Sequence, residues 1–311
     1  MNIIAIENSR SCNFRCLNCP TSYSANYPAG FMSMKIFSDI LANLSPEIFP
    51  NCALTGWGEP LLDPTYFKKL ALLKKKGYLV GSTTNLSLLN EEILIRLSGE
   101  GLDQLNLSWD LFHLEAAGLS LHEAQKRLTV LLDCFLKREL SFRLGINIVV
   151  AKKHLTFIKD LIAIFVDYPI WCIGIIPLIM IPSRSLFSQL VTKRELKALK
   201  QELSNLYPSL PFQFPYLDPP PVQNCRSDVF SNVYVSFNGE VSPCCVLALN
   251  FFSCTFEGVC GEILPLSFGN LAREDFQTIW ENPAYKAFRE SFLKKTLPPN
   301  CHFCNAWRVL P

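Results

Sequence analysis

The sequence predicts an α/β fold, in which a partial (β/α)6 TIM-like barrel is followed by a small α+β module. Six short apolar segments alternate with amphipathic segments over the first two thirds of the chain, and prolines then cluster at 208–221. Apolar strands that alternate with helices are typical of a parallel sheet covered by helices. With 311 residues, of which 49% are hydrophobic, the chain is long enough to bury such a core.

The predicted elements follow in the order that a barrel requires. Strands are expected at 2–7, 52–55, 78–83, 102–108, 142–150 and 171–181. Helices are expected from Ser33, from Asp63, at 90–97, 120–135 and 155–165, and from Thr192. The helices that begin at Ser120 and Thr192 each carry glutamate three residues later, which is a capping box. In such barrels the reacting groups lie at the C-terminal ends of the strands.

The proline-rich stretch divides the chain. Residues 208–221 hold six prolines, so we interpret 208–224 as a semi-rigid linker without regular structure. This predicts a barrel over 1–207 and a second module over 225–311.

Within the second module, the sequence predicts a hairpin and two short helices. Residues 233–237 alternate between apolar and polar, Asn238-Gly239 is a hairpin turn, and 240–244 returns as the partner strand. The helices are expected at 275–282 and 285–293.

Composition excludes some classes of function. The 29 basic and 27 acidic residues are spread in short groups, so nucleic acid is not an expected partner. The most apolar stretch, 170–181, is too short for a transmembrane segment. Thirteen cysteines without a signal peptide predict a reducing, cytoplasmic location. A mean hydropathy of +0.20 is compatible with an apolar ligand or a lipid substrate.

Three cysteines follow the first predicted strand at once. Cys12, Cys16 and Cys19 have the spacing C-x3-C-x2-C. Three thiols in one short loop cannot all pair as disulfides, but they can converge as thiolates on a metal centre. A four-iron cluster with three protein ligands keeps one iron open for a ligand that is not protein. Zinc held by three thiolates and a water molecule is the alternative.

Three features resemble the radical S-adenosylmethionine (SAM) superfamily over about residues 1–205. They are the cysteine spacing, the six strand-helix units, and the sequence Gly56-Trp57-Gly58-Glu59-Pro60 after the second strand. The resemblance implies that the three cysteines hold a [4Fe-4S] cluster whose open iron binds the amino and carboxylate groups of SAM. It also implies that the reduced cluster cleaves SAM and releases a 5′-deoxyadenosyl radical.

The resemblance further implies which residues bind SAM. Loop 56–59 would hold the methionine amino group through its backbone and the Glu59 carboxylate. Asn85 and Ser108 would contact the ribose or the methionine carboxylate. Asn18 departs from the family, which usually has an aromatic residue there for stacking on adenine. The expected cofactor-binding residues are thus Gly56, Trp57, Gly58, Glu59, Asn85 and Ser108, although Trp57 is nearly as well explained as a packed aromatic.

Two residues just past the fourth strand are candidates for catalysis. Asp110 and His113 have the chemistry of an acid or base beside the radical. A solvated pair in a loop is the commoner explanation for such residues.

Four cysteines near the C-terminus resemble the front half of the SPASM pattern, whose shortened form is called a twitch domain. Cys225 and Cys244 have the spacing C-x13-G-x4-C, and Cys301 and Cys304 follow as C-x2-C. The resemblance implies that these four close an auxiliary [4Fe-4S] cluster, the second of two. A four-thiolate zinc ribbon is the alternative.

Three further cysteines lie in or beside an apolar insert at 246–266. Cys245, Cys254 and Cys260 have the chemistry of alternative ligands or of a redox pair. We favour the interpretation that they are small apolar residues.

The predicted function is that of a radical SAM oxidoreductase. Hydrogen abstraction from an unactivated C-H bond, followed by loss of a second electron to the auxiliary cluster, would dehydrogenate a small molecule or form a bond in it. The resemblance implies an external electron donor such as flavodoxin or ferredoxin. A peptide, or a lipid or isoprenoid, is the alternative substrate. The alternative from another class is a binding or electron-transfer protein that a zinc ion or an iron-sulfur cluster stabilises.

Overall fold

A sheet of nine strands forms the centre of the fold in the computed structural model, which describes residues 2–24, 28–219 and 224–311. Its spatial order is β7-β6-β5-β4-β3-β2-β1-β8-β9, and every pairing except that of β8 with β9 is parallel. The strands are β1 (Ile3–Ile6), β2 (Asn51–Leu54), β3 (Leu79–Thr84), β4 (Gln104–Ser108), β5 (Arg143–Val150), β6 (Ile170–Pro177), β7 (Phe212–Gln213), β8 (Asn232–Val235) and β9 (Val241–Ser242). The predicted class, a partial barrel with a small C-terminal sheet, is confirmed.

Helices connect the parallel strands. They are α1 (Met34–Ala42), α2 (Tyr66–Lys75), α3 (Glu91–Gly99), α4 (Leu111–Ala117), α5 (Leu121–Lys137), α6 (Ile158–Ala163), α7 (Lys193–Leu206), α8 (Phe276–Trp280) and α9 (Pro283–Leu293). Both predicted capping boxes are present, at Ser120 before α5 and at Thr192 before α7. The sequence did not predict α4, because its seven residues bury only Phe112 and Leu114 and so show no long apolar pattern.

At β1, β2 and β3, the two faces of the sheet carry side chains of different size. On one face, Ile4 and Val80 are almost fully buried in the main core. On the other face, Ala5 of β1 is paired in register with Ala53 of β2, which is paired with Gly81 of β3. These three residues are small, so they leave room at this part of the curved sheet.

The sequence predicts 208–224 to be a linker without regular structure, but part of this stretch forms a strand. Phe212 and Gln213 form β7, which pairs with Ile173 and Gly174 of β6. Pro211 does not prevent this pairing, because it takes part through its carbonyl, which accepts from the Ile173 N-H at 2.9 Å and needs no N-H of its own. Residues 220–223 of the predicted linker lie outside the described residues.

The predicted hairpin at Asn238-Gly239 forms between β8 and β9, and Gly239 has the positive φ of +91° that favours glycine in a turn. Strand β8 also pairs in parallel with β1. The second module therefore continues the main sheet. The domain boundaries at 207 and 225 stay a prediction.

The insert at 246–266 contains a second hairpin. Its strands are β10 (Phe251–Cys254) and β11 (Cys260–Ile263), and a disulfide joins Cys254 to Cys260. The interpretation of these two cysteines as small apolar residues was wrong. The antiparallel register places them directly opposite each other, and cysteine spacing alone does not reveal such a register.

A buried carboxylate joins three parts of the fold that are distant in sequence. Glu7, at the end of β1, is fully buried and accepts hydrogen bonds from the Arg10 guanidinium at 2.6 and 3.0 Å. It also accepts from the backbone N-H groups of Trp57 at 3.3 Å and Phe237 at 3.1 Å. The carboxylate therefore ties the loop after β2 and the β8-β9 hairpin to the first strand.

A second buried charge holds the loop after β2. The Lys69 ammonium of α2 is fully buried and lies 2.6 Å from the Asp63 carboxylate, which also accepts from the Asn8 amide at 3.1 Å. A buried ion pair of this kind is costly to break, because the remaining partner stays uncompensated.

Replacing Lys69 by methionine should therefore lower the free energy of unfolding by about 3–5 kcal/mol, since the buried Asp63 loses its cation. Urea denaturation measures this. Lys35→Met is the matched control, because Lys35 and Asp39 form an exposed pair and its loss should leave the stability unchanged within error. Equal effects of the two substitutions would contradict the structural role of Lys69.

Candidate functional site

A cavity of about 340 Å³ lies at the C-terminal ends of the parallel strands. Loops after β1, β2 and β3 and the end of β4 line it, because parallel strands end at the same edge of the sheet. All nine residues predicted for the cluster and for SAM contribute to this lining: Cys12, Cys16, Cys19, Gly56, Trp57, Gly58, Glu59, Asn85 and Ser108. Their individual roles stay a prediction.

The three N-terminal thiols share this cavity wall. Cys16 is buried, and a turn closes where the Cys19 N-H donates to the Cys16 carbonyl at 3.1 Å. Burial raises the pKa of Cys12 and of Cys16, and the charges of neighbouring groups, Cys19 among them, raise both further. A cation held among these thiols would offset both effects. The donor set therefore suits a cluster.

The loop after β2 fits against the cysteine loop without spare room. The Gly58 N-H donates to the Ser9 carbonyl at 3.1 Å, and the Glu59 N-H donates to the Ser11 carbonyl at 2.8 Å. A Cβ at Gly58 would lie 2.4 Å from that Ser11 oxygen, and one at Gly56 would lie 2.4 Å from Cγ of Glu7. Both glycines are therefore required by close packing.

The Glu59 carboxylate anchors this loop to the end of β3. One oxygen accepts from the Thr84 hydroxyl at 2.8 Å and the Leu61 N-H at 3.1 Å, and the other accepts from the Asn85 N-H at 2.7 Å. Burial raises the pKa of Glu59 above its usual value. Because three protein groups already donate to it, Glu59 has a structural role besides its predicted contact with SAM.

Asp110 and His113 are not a solvated loop pair, which was the favoured interpretation from sequence. Asp110 is buried and caps α4 by accepting from the His113 N-H at 3.1 Å. The imidazole Nδ1 lies 3.0 Å from the same carboxylate. Burial lowers the pKa of His113, but the charge and hydrogen bond of Asp110 and the charge of Glu59 together raise it above its usual value. His113 lines the cavity, whereas Asp110 lies behind it.

Asn18 replaces the aromatic residue of the family pattern in this wall. Its amide oxygen is buried and, among the described residues, has no hydrogen-bond partner. The position therefore presents a polar acceptor where the family usually presents a ring.

The four C-terminal cysteines line one narrow cavity together with apolar side chains such as Phe288, Phe292 and Trp307. The Cys304 N-H donates to the Cys301 carbonyl at 3.1 Å, as does the Trp307 indole. Burial raises the pKa of every one of these thiols, that of Cys304 to about 11. Such a site favours a cationic centre with thiolate ligands.

A cluster and a single ion place different demands on this site. One zinc ion needs its ligands around one point, at about 2.3 Å for sulfur. In the described ranges, no three His, Cys, Asp or Glu side chains converge in that manner. A four-iron cluster takes each thiolate on a different iron, and thiols spread around a common cavity supply that donor set.

Some residues of the site were not among the predicted cofactor-binding residues. Thr84 holds Glu59, and residues 176–180 after β6 form the opposite wall of the cavity. Thr84 directly precedes Asn85 at the C-terminal end of an apolar strand, and this position is the signal from which the sequence could have identified it as a residue of the site. Segment 176–180 was read only as a buried strand end, since its apolar residues carry no polar signal.

Comparison with known proteins agrees with this geometry. Residues 6–128 match the model of the radical SAM superfamily, and residues 225–305 match SPASM, an iron-sulfur cluster-binding domain. SuiB of Streptococcus suis, solved with S-adenosylmethionine, has the same fold, with a TM-score of 0.71 at 16% identity over 99% of this chain and 71% of SuiB.

Two curated relatives are also similar. The tungsten-containing aldehyde ferredoxin oxidoreductase cofactor-modifying protein of Pyrococcus furiosus is 23% identical over 98% of this chain and 87% of its own length. The AdoMet-dependent heme synthase of Methanosarcina barkeri is 32% identical over 35% of this chain and 31% of its own length.

Fold, cysteine sites and family matches together define a SAM-dependent iron-sulfur enzyme. The chain contains a radical SAM domain at 6–128 and a C-terminal SPASM-type domain at 225–305. Its cofactors are SAM and [4Fe-4S] clusters, as the resemblance implied, and the zinc alternatives are not supported. In the described part of the chain, no helix is long and apolar enough to cross a membrane.

Replacing Gly58 by alanine should weaken SAM binding at least tenfold, because its Cβ would push loop 56–59 away from the cysteine loop, at a typical overpacking cost of about 1–3 kcal/mol. Equilibrium dialysis of the anaerobically reconstituted protein with SAM measures this. Gly81→Ala is the control, because its Cβ would meet no atom closer than 3.8 Å. Unchanged affinity in the Gly58 variant would show that the close packing of this loop is not needed for binding.

Proposed function

We propose that this chain is a radical SAM oxidoreductase that modifies a small molecule by dehydrogenation or bond formation. One observation carries the proposal: a three-cysteine cavity lies at the strand ends of the sheet, and the segments just before β8 and just after β9 of the same sheet help to line a four-cysteine cavity. Three ligands suit a cluster that binds SAM, and four suit a closed cluster that only exchanges electrons.

In the first cavity, different residues would bind the cluster and SAM. Cys12, Cys16 and Cys19 would hold the cluster, and loop 56–59 with Asn85 and Ser108 would hold SAM. When bound, the reduced cluster supplies the electron that cleaves SAM to a 5′-deoxyadenosyl radical. The tight packing of loop 56–59 on the cysteine loop keeps the SAM-binding residues in one orientation.

The size of the site favours a small molecule. A second cavity of about 390 Å³, lined mainly by apolar side chains, shares Phe14, Asn85, Ser108 and His113 with the first. Because the first cavity would hold the cluster and SAM, the second offers space for a substrate, and its volume lies in the range of about 300–1,000 Å³ that is typical of small-molecule sites. The Pyrococcus relative, which matches almost the whole chain, is named for modifying a cofactor, and this supports the same substrate class.

His113 is the group best placed to handle a proton. Its Nδ1 faces the buried Asp110 carboxylate, so Nε2 is the ring nitrogen left for a substrate in the shared part of the two cavities. A two-electron oxidation of a C-H bond releases a proton after the hydrogen atom is removed, and the neutral imidazole would accept it.

Cys225, Cys244, Cys301 and Cys304 would hold the auxiliary cluster, and the apolar side chains around them would keep water away. Reducing electrons would come from an external carrier such as flavodoxin or ferredoxin. A cytoplasmic location stays a prediction.

Replacing Cys12, Cys16 and Cys19 together by alanine should abolish 5′-deoxyadenosine release under strong reductant. Iron should fall from about eight to about four per chain, because the auxiliary site keeps its ligands. Iron and sulfide analysis after anaerobic reconstitution, with deoxyadenosine assayed on the same sample, measures both. Continued SAM cleavage in this variant would overturn the assignment of these cysteines.

Replacing Cys301 and Cys304 by alanine should also lower iron to about four per chain, while the N-terminal cluster remains. We expect product formation to stop and some SAM cleavage without product to persist. Cys172→Ala is the control, because Cys172 is a partly buried thiol of β6 outside both cavities. Iron that stays at about eight would mean that the second site does not hold a cluster.

A further inference from the structure

One side chain bridges the two cysteine sites. The Trp57 indole Nε1 donates to the backbone carbonyl of Cys245 at 2.8 Å, across 188 residues of sequence. Trp57 lines the first cavity, and Cys245 directly follows Cys244, which lines the four-cysteine cavity. The hydrogen bond therefore joins the SAM-binding loop to the auxiliary-site loop.

Both ends of this bridge are held. The Trp57 backbone N-H donates to Glu7, which also accepts from Phe237 of the β8-β9 hairpin. The Cys245 carbonyl accepts a second hydrogen bond from the Ala248 N-H at 3.1 Å. A shift of either loop would therefore stretch or break the bond to the indole.

Cys245 is not one of the four predicted ligands and does not line their cavity. Its side chain lines a third cavity of about 130 Å³, which also contains Cys304. Ile179 and Met180 line both this cavity and the first one. The third cavity therefore lies between the two cysteine sites, and Cys245, whose carbonyl is bonded to Trp57, forms part of its wall.

We propose that Trp57 is a positioning residue that couples SAM binding to the auxiliary site. The ligated Cys244 fixes the Cys245 carbonyl, the carbonyl fixes the indole, and the indole holds loop 56–59 in its SAM-binding conformation. This inference rests on the proposed function, because it uses the assignments of loop 56–59 and of Cys244. Coupling between two binding sites is reciprocal, and typical couplings change affinity by about 5- to 150-fold.

The test compares SAM dissociation constants in four oxidised, anaerobically reconstituted proteins, in which SAM binds but is not cleaved. They are the wild type, Trp57→Phe, the double variant Cys301→Ala/Cys304→Ala, and the three substitutions combined. Trp57→Phe keeps a ring but removes the N-H donor. Trp57→Phe and the double cysteine variant should each weaken SAM binding about tenfold. The combined variant should bind SAM no more weakly than the poorer binder of these two, because both changes break the same link.

Multiplied effects, at about a hundredfold in the combined variant, would show that Trp57 acts independently of the auxiliary site and would overturn the proposal. Wild-type affinity in Trp57→Phe would overturn it as well. Trp171→Phe is the control, because Trp171 is a half-exposed residue of β6 outside both cavities, and it should bind SAM as the wild type does.

A second measurement needs no variant and covers the case in which Trp57→Phe fails to fold. Hydrogen-deuterium exchange of the wild type should slow at 246–249 when SAM is added, since a fixed indole holds the Cys245 carbonyl and the turn that follows it. Unchanged exchange there would contradict the coupling. A wild type that lacks iron or does not bind SAM would instead refute the proposed function, so the two failures are distinguishable.

Discussion

The buried Glu7 carboxylate is the constraint on which the arrangement of both cysteine sites depends. A carboxylate without solvent is stable only where donors and a counter-charge surround it. Arg10 supplies the charge, and backbone N-H groups of Trp57 and Phe237 supply further donors. Phe237 is 230 residues away in sequence, so this single group fixes loop 56–59 and the C-terminal hairpin against the first strand. Gly56 is needed because a side chain there would collide with Glu7 itself.

The position of β8 explains how one sheet serves two sites. A partial barrel leaves the outer edge of β1 open, and β8 pairs with that edge in parallel. The hairpin that follows then leads directly to Cys244, beside the loops at the carboxyl ends of β1 and β2. The disulfide hairpin β10-β11 is joined to the segment after β6, since the Cys254 N-H donates to the Ile181 carbonyl at 3.1 Å. The auxiliary module is thus attached to both ends of the barrel sheet.

Local patterns predicted most of the regular structure. The six barrel strands, the capping boxes of α5 and α7, and the Asn238-Gly239 turn depend on neighbouring residues, and all are present. Three features were missed for the opposite reason. The β7 pairing, the Cys254-Cys260 disulfide and the burial of Asp110 each depend on partners that are distant in sequence or on the register between strands. Prolines and short apolar stretches in the sequence do not specify those partners.

By itself, the sequence determined the family and the chemistry of the site, because cluster ligation needs particular thiols at particular spacings and the G-x-G-E-P loop needs glycine for close packing. Only the tertiary structure decided how these parts meet. It placed His113 against a buried Asp110, put Cys245 in a cavity next to that of the four C-terminal thiols with Cys304 common to both, and joined Trp57 to the loop at Cys245. Those contacts arise from the pairing of β8 with β1 and the burial of Glu7, and both join segments that are far apart along the chain.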